Sequence, residues 1–159
     1  HTMRVTSIAL FDDDVHALTC SRDRSFLCWD LRREKRISNH TQRMGGINSI
    51  VLSRDQTQVI TAGQERKLTY WDLRRPKPMQ VVDHQPGEGT CIAVSYTGQF
   101  LATAGADQVV RLWDYATGEL LQKGIGHSSV VRKCAFSPDD RQLVSVGEDG
   151  CVFVWNLYA

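Results

Sequence analysis

No apolar run in this sequence approaches the roughly 20 residues that a membrane-spanning helix needs, and its first residues lack the apolar stretch of a signal peptide. Charge of one sign is equally lacking. The 19 Lys and Arg stand against 18 Asp and Glu, a formal net charge of +1, so no global field draws in nucleic acid or an anionic membrane, and any such partner has to be met locally. The five cysteines are odd in number and show no short paired spacing. That argues against a disulfide framework and a zinc site and suits a reducing, cytoplasmic compartment. Helical periodicity is absent throughout. What is present is 42% hydrophobic and 23% charged residues over 159 positions, enough for a sizeable core and incompatible with disorder, collagen or coiled coil.

The four tryptophans, Trp29, Trp71, Trp113 and Trp155, are each 42 residues from the next. A fixed period of that length marks a repeat architecture and falls within the roughly 40–45 residues of one four-stranded propeller blade. The chain holds about 3.8 such repeats, with bounds 1–42, 43–84, 85–126 and 127–159. Each Trp closes a β-branched and aromatic run (Ser25 to Leu31, Lys67 to Leu73, Val109 to Tyr115, Cys151 to Leu157), and a second run precedes it from Ala17, Val59, Leu101 and Leu143. Both read as strands joined by tight polar turns such as Glu148-Asp149-Gly150. An earlier strand begins at Val5, Ile47, Cys91 and Val131. An outer strand ends near His40, His84 and Ile125, and the last repeat lacks it. The fold class is all-β.

The Trp-Asp dipeptides, the Gly126-His127 pair and Phe136-Ser137-Pro138-Asp139 before a hairpin resemble the WD-repeat β-propeller family over the whole chain. The resemblance implies a buried hydrogen-bonded set of His, Ser or Thr, Asp and Trp in each blade. By position the fourth repeat supplies His127, Ser145, Asp149 and Trp155, and the first His1, Thr19, Asp23 and Trp29. The third has Thr103, Asp107 and Trp113 but Gln85 in the His position, with His84 displaced by one. The second has Thr61 and Trp71 with Arg43 and Glu65 in place of His and Asp. Family rings most often have about seven blades, so these residues are expected to be part of a larger propeller, closed by the rest of its own chain or by a second copy. A strained four-bladed ring is the remaining alternative.

A His, Ser and Asp trio also invites a nucleophilic-triad reading. Its recurrence at fixed offsets from Trp favours a structural staple, because a catalytic site is needed once and a staple in every blade. Cys20 shares a column with Ala62, Ala104 and Val146, and Cys134 with Ile8, Ile50 and Ile92, so both read as core. Cys28 and Cys91 are left open and Cys151 reads as exposed. Asp12-Asp13-Asp14 reads as a solvated turn, since it lacks the spaced ligands of a calcium loop. No metal and no cofactor is expected.

The near-zero charge conceals a split. The first 80 residues carry 14 basic and nine acidic side chains, a net of +5, and the rest a net of −4. Much of the positive charge lies in two corresponding turns after the Trp strands: Arg32, Arg33, Lys35 and Arg36, then Arg74, Arg75 and Lys77. One repeat apart, they are expected on the same face of adjacent blades, where they suit carboxylates or phosphates, with Asp12 to Asp14 as partial neutralisers. The resemblance implies a non-catalytic scaffold that binds other proteins. The strings Lys67 to Trp71, Val110 to Tyr115 and Gly124 to Ser128 are similar to the C-terminal propeller of cilia- and flagella-associated WD-repeat proteins. That implies acidic tubulin as partner and the axoneme as location. The alternatives are a module reading phosphopeptides or nucleic acid in a cytoplasmic or nuclear complex, and an enzyme using the polar oddities Arg43 and Glu65.

Overall fold

The computed structural model describes residues 1–83 and 86–157. The expectations that fall on His84, Gln85 and Tyr158 therefore lie outside the described residues. Those residues form fifteen strands and no helix. The first sheet holds β1 (Val5–Leu10), β2 (His16–Ser21), β3 (Ser25–Asp30) and β4 (Lys35–Thr41), and the second β5 (Ile47–Leu52), β6 (Gln58–Gly63), β7 (Lys67–Asp72) and β8 (Gln80–Asp83). The third holds β9 (Gly89–Val94), β10 (Phe100–Gly105), β11 (Val109–Asp114) and β12 (Leu120–Ile125). The fourth has β13 (Val131–Phe136), β14 (Gln142–Gly147) and β15 (Val152–Asn156). Each sheet is an antiparallel meander in chain order. No helix of the described residues is long and apolar enough to cross a membrane.

The second strand of every sheet begins one residue before the apolar run seen in sequence. Its first residue pairs with the residue after Trp: His16 with Asp30, Gln58 with Asp72, Phe100 with Asp114 and Gln142 with Asn156. Ladder closure, which needs only backbone, sets that boundary. A similar correction applies to the basic turns: Lys35 and Arg36 lie in β4, opposite Asp30 and Trp29, and only Arg32 and Arg33 remain in the turn.

The first strand of each sheet carries a register shift that leaves Thr6, Asn48, Thr90 or Arg132 out of the ladder. A bulge of this kind re-aims a side chain. Thr6 Oγ1 donates to Cys20 O at 3.2 Å and to Ile47 O at 2.7 Å, linking the first sheet to the second. Thr90 Oγ1 donates in the same way to Ala104 O and to Val131 O, linking the third to the fourth. The turns show equal regularity. Asp14, Gln56, Gly98 and Asp140 share one repeat position and all have positive φ, as do Arg24, Arg66, Gln108 and Gly150 at another. Most of these are not glycine, so register rather than residue type imposes the left-handed geometry.

The chain divides into two compact units, His1–His84 and Gln85–Ala159. The core of the first joins Leu18, Cys20 and Phe26 to Ile47, Ile50, Val59 and Trp71. The core of the second uses the positions 84 residues later: Ala102, Ala104 and Val110 with Val131, Cys134 and Leu143, and Trp155 packed against them. Cys28 and Cys91, left open by sequence, are buried with Cys20 and Cys134, and Cys151 is exposed. Ile8 departs from its column. It is 63% exposed, against 2% for Ile50 and 4% for Ile92.

One buried polar side chain of the first unit lacks hydrogen bonds. His40, 4% exposed, stacks on Phe26 with centroids 4.6 Å apart and meets Trp71 edge-on, and neither ring nitrogen has a partner among the described residues. Burial pushes its imidazole below the ordinary value. A histidine kept neutral in the fold binds its proton more readily when unfolded, so stability is complete above the ordinary value of about 6.5 and falls as the pH drops below it. His40→Leu is expected to remove that dependence just below about pH 6.5, where its slope is at most about 1.4 kcal/mol per pH unit. Urea unfolding across this range checks it, and an unchanged slope in the variant would exclude His40 as the cause.

Candidate functional site

The residue sets named by position fall into two groups: the polar clusters beside each Trp, and the basic segments at one end of the first unit. In the first and fourth sheets the polar cluster is the same relay. Trp29 Nε1 donates to Thr19 Oγ1 at 2.8 Å, His1 Nε2 lies 2.8 Å from that hydroxyl, and His1 Nδ1 lies 2.9 Å from Asp23 Oδ2. Trp155 Nε1 donates to Ser145 Oγ at 2.9 Å, with His127 Nε2 at 2.8 Å from the hydroxyl and His127 Nδ1 2.9 Å from Asp149 Oδ2. The indole can only donate and the carboxylate only accept, so the hydroxyl proton points to Nε2 and the Nδ1 proton to the carboxylate. Each carboxylate also accepts a loop backbone N–H, from Thr2 and from Ser128, both at 2.9 Å.

These bonds hold the Asp149 carboxyl below its usual range, through the N–H of Cys151 first, then Ser128 and His127. For Asp23, partial burial opposes the effect and the bonds from Ser25 and Thr2 outweigh it. The relay has the connectivity of a hydrolase triad, but Ser145 is fully buried and its oxygen already accepts the indole N–H. A hydroxyl buried in this way and already committed to the indole cannot reach the carbonyl carbon of an ester or amide substrate.

The second sheet keeps the Trp-to-hydroxyl bond and replaces the rest, and the third keeps that bond and sets a cation beside its carboxylate. In the second, Trp71 Nε1 donates to Thr61 Oγ1 at 3.0 Å and Arg43 is exposed. Glu65 Oε1 accepts Met44 N–H at 2.6 Å, which is the loop bond that Asp23 and Asp149 make elsewhere. Two residues that sequence reasoning did not single out complete the anchor. Buried Gln42 donates to Met44 O at 3.0 Å and Gly45 O at 2.6 Å, and Gln64 Oε1 accepts Gly46 N–H at 2.8 Å. In the third sheet Trp113 Nε1 donates to Thr103 Oγ1 at 2.9 Å, and the Asp107 carboxylate pairs with Arg111 Nη2 at 2.5 Å. Arg111 is buried in mid-strand. The signal for it was present: an arginine between Val110 and Leu112 on an apolar strand demands a buried anion.

In a meander, the β1–β2 and β3–β4 turns share one end of the sheet, as do the β5–β6 and β7–β8 turns. Gln56 donates its side-chain N–H to Asp12 Oδ2, which brings these ends of the first two sheets together. The basic segments therefore lie at one end of the unit, but not all of their charge is free. Arg74 grips Asp72 with two bonds of 2.9 Å, and Arg75 Nε lies 3.9 Å from the same carboxylate. The Arg74 guanidinium holds the Asp72 carboxyl down at about 2 and is itself raised. Arg33 Nε lies 3.7 Å from Asp30 Oδ2. Neutralisation thus comes from the aspartates of the Trp-Asp dipeptides. Asp12 is engaged with Gln56, and Asp13 is held at about 2, first by His16 and then by the N–H groups of Val15 and His16. Arg32, Lys35, Arg36 and Lys77 are exposed and have no carboxylate partner among the described residues.

The second unit has a different concavity. An open groove of about 380 Å³ runs between β12 and the end of β15, lined by Val110, Leu112, Gln122, Lys123, Leu143 and Trp155 among others.

The family described as WD domain, G-beta repeat matches residues 1–30, 79–114 and 118–156. The unmatched stretch 31–78 contains Arg43 and Glu65, where the relay is rebuilt. Forty-three residues are 42% identical to WD repeat-containing protein 62 of Mus musculus, covering 27% of this chain and 3% of that protein. The Sus scrofa protein of the same name is 40% identical over 43 residues. WD repeat and SOCS box-containing protein 1 of Homo sapiens is 45% identical over 40 residues, 25% of this chain and 10% of that protein. The chain thus spans no more than a tenth of the length of these relatives.

The relays predict unequal costs for losing the hydroxyl. Ser145→Ala strands both an indole and a buried imidazole, and is expected to cost about 2–4 kcal/mol. Thr61→Val strands the indole alone and is expected to cost about 1–2 kcal/mol. Chemical denaturation of the two variants checks the order, which equal losses would contradict.

Proposed function

The chain belongs to the WD domain, G-beta repeat family, and on that premise we propose that it is a non-catalytic protein–protein interaction scaffold whose basic end of the first unit binds acidic protein surfaces. The observation that carries this is the placement of Arg32, Lys35, Arg36 and Lys77 on adjacent sheets, exposed and unpaired, beside arginines already fixed by Asp30 and Asp72. Paired arginines are pre-ordered and the unpaired cations supply net charge, so the surface combines rigidity with attraction for carboxylates. The polar sets that resemble catalytic machinery are occupied in holding strands to loops, which supports the non-enzymatic reading.

The narrower reading is a structural component of ciliary or flagellar microtubules, located in the cytoplasm at the axoneme. It is supported by the similarity of Lys67 to Trp71, Val110 to Tyr115 and Gly124 to Ser128 to that branch of the family, and by the acidity of tubulin. Substituting Arg32, Arg36 and Lys77 together by Ala is expected to weaken binding to polyglutamate and to microtubules about tenfold or more and to flatten its salt dependence. Arg74→Ala should do less than the triple variant, since it removes one positive charge rather than three. Co-sedimentation and fluorescence titration across ionic strength are the measurements. Polyglutamate binding without microtubule binding would leave the acidic-surface reading and remove the ciliary one. Unchanged binding of both by the triple variant would remove the basic end from the interface.

A further inference from the structure

Four of the five thiols are buried, and two of those four face each other from different sheets of the second unit. Cys91 of β9 is 1% exposed, Cys134 of β13 is 4% exposed, and their sulfurs are 3.4 Å apart. A disulfide requires about 2.05 Å, so the gap to close is on the order of 1 Å, a distance that side-chain rotation supplies. The backbone around the pair is already fixed: Thr90, next to Cys91, donates to Val131 O of β13 and to Ala104 O of β10. At the matching positions of the first unit stand Ser7 and Ile50, which cannot be linked.

The two sulfurs are not equivalent. A hydrogen bond from the Cys134 thiol favours the Cys91 thiolate and brings Cys91 down, with Thr90 and Lys133 assisting, while the same partnership and burial push Cys134 well up. That is the asymmetry of an attacking and a resolving thiol.

We propose that Cys91 and Cys134 are a reversible thiol–disulfide pair that joins β9 to β13 covalently when the protein meets a peroxide. The Cys91 thiolate attacks one peroxide oxygen, the O–O bond breaks, and Cys91 becomes a sulfenic acid while the departing hydroxide takes a proton to become water. The Cys134 sulfur then attacks the sulfenic sulfur. The S–S bond forms, the S–O bond breaks, and a second water leaves with the thiol proton. Two thiols and one hydrogen peroxide thus give one disulfide and two waters, with both sulfurs oxidised and both peroxide oxygens reduced. A dithiol reductant reverses the link by exchange. Cys151, exposed and without a neighbouring thiol, oxidises without this product. The disulfide would close a long loop through β10, β11 and β12 and restrict opening of the two sheets it joins.

The test uses the full chain, reduced, folded, exposed to hydrogen peroxide and then denatured in N-ethylmaleimide. Peptide mapping without reductant is expected to show a Cys91–Cys134 peptide pair lacking two hydrogens, which dithiothreitol converts to two maleimide adducts. Limited proteolysis within residues 89–136 should slow several-fold on oxidation. Cys91→Ser, which places the Ser7 residue type at its counterpart, should lose the linked peptide and the protection while keeping the proteolysis rate of the reduced form. If that variant does not fold, the wild-type map alone decides. Recovery of Cys91 and Cys134 as separate adducts after oxidation, or linkage only to other cysteines or between molecules, would overturn the proposal.

Discussion

One bond recurs in all four sheets: the indole N–H of Trp donating to a hydroxyl ten residues earlier, between 2.8 and 3.0 Å in Thr19, Thr61, Thr103 and Ser145. An indole at a sheet-to-sheet interface contributes a large apolar surface but carries one donor that has to be satisfied. The second strand lies antiparallel to the Trp strand, so a hydroxyl at that spacing is aimed at the donor without further adjustment. The rest of each repeat is arranged around this bond. The hydroxyl has its own proton to place, and where an imidazole receives it the relay extends to a carboxylate and from there to the backbone of the preceding loop.

The four repeats show which parts of that relay can be exchanged. The loop anchor survives loss of the imidazole, because Glu65 reaches the same backbone N–H as Asp23 and Asp149, and Gln42 and Gln64 satisfy the neighbouring groups. In the third sheet a buried cation, Arg111, stands beside the Asp107 carboxylate. In each case the substitution obeys the rule that a buried charge or polar group keeps a partner. This is also why the His-Ser-Asp geometry does not amount to chemistry: its atoms are committed to holding strands and loops.

The same accounting separates charge that can act on a partner from charge that cannot. The Trp-Asp aspartates bind Arg33, Arg74 and Arg75 at the turns that follow, so the most basic stretches in sequence are partly self-neutralised. What is left is a smaller set of free cations, two of them on β4 rather than in a turn. Cysteine placement follows a similar logic. Cys20 and Cys134 sit where their repeat counterparts carry small or aliphatic residues, and the meeting of β9 with β13 brings Cys134 against Cys91.

Much of the architecture was legible beforehand, because a 42-residue period and alternating strands are local properties of the chain. The strand count and the meander order follow from position within the period, while the Trp–hydroxyl pairs and the irregularity of the second repeat were legible through the family resemblance. Strand starts at His16 and Lys35 were not legible, since ladder pairing there depends on backbone partners and not on hydropathy. The left-handed residues Gln56, Arg66 and Gln108 carry no turn signature of their own. By itself the sequence determined the repeat and the residue types available to each sheet. Tertiary structure decided which carboxylate meets which cation, which glutamine stands in for a missing imidazole and which two of five thiols touch. The thiol pair joins residues of different sheets and depends on how one sheet packs upon the next, whereas the carboxylate–cation pairs lie within four residues and depend on the side-chain directions that the folded turns and strands impose.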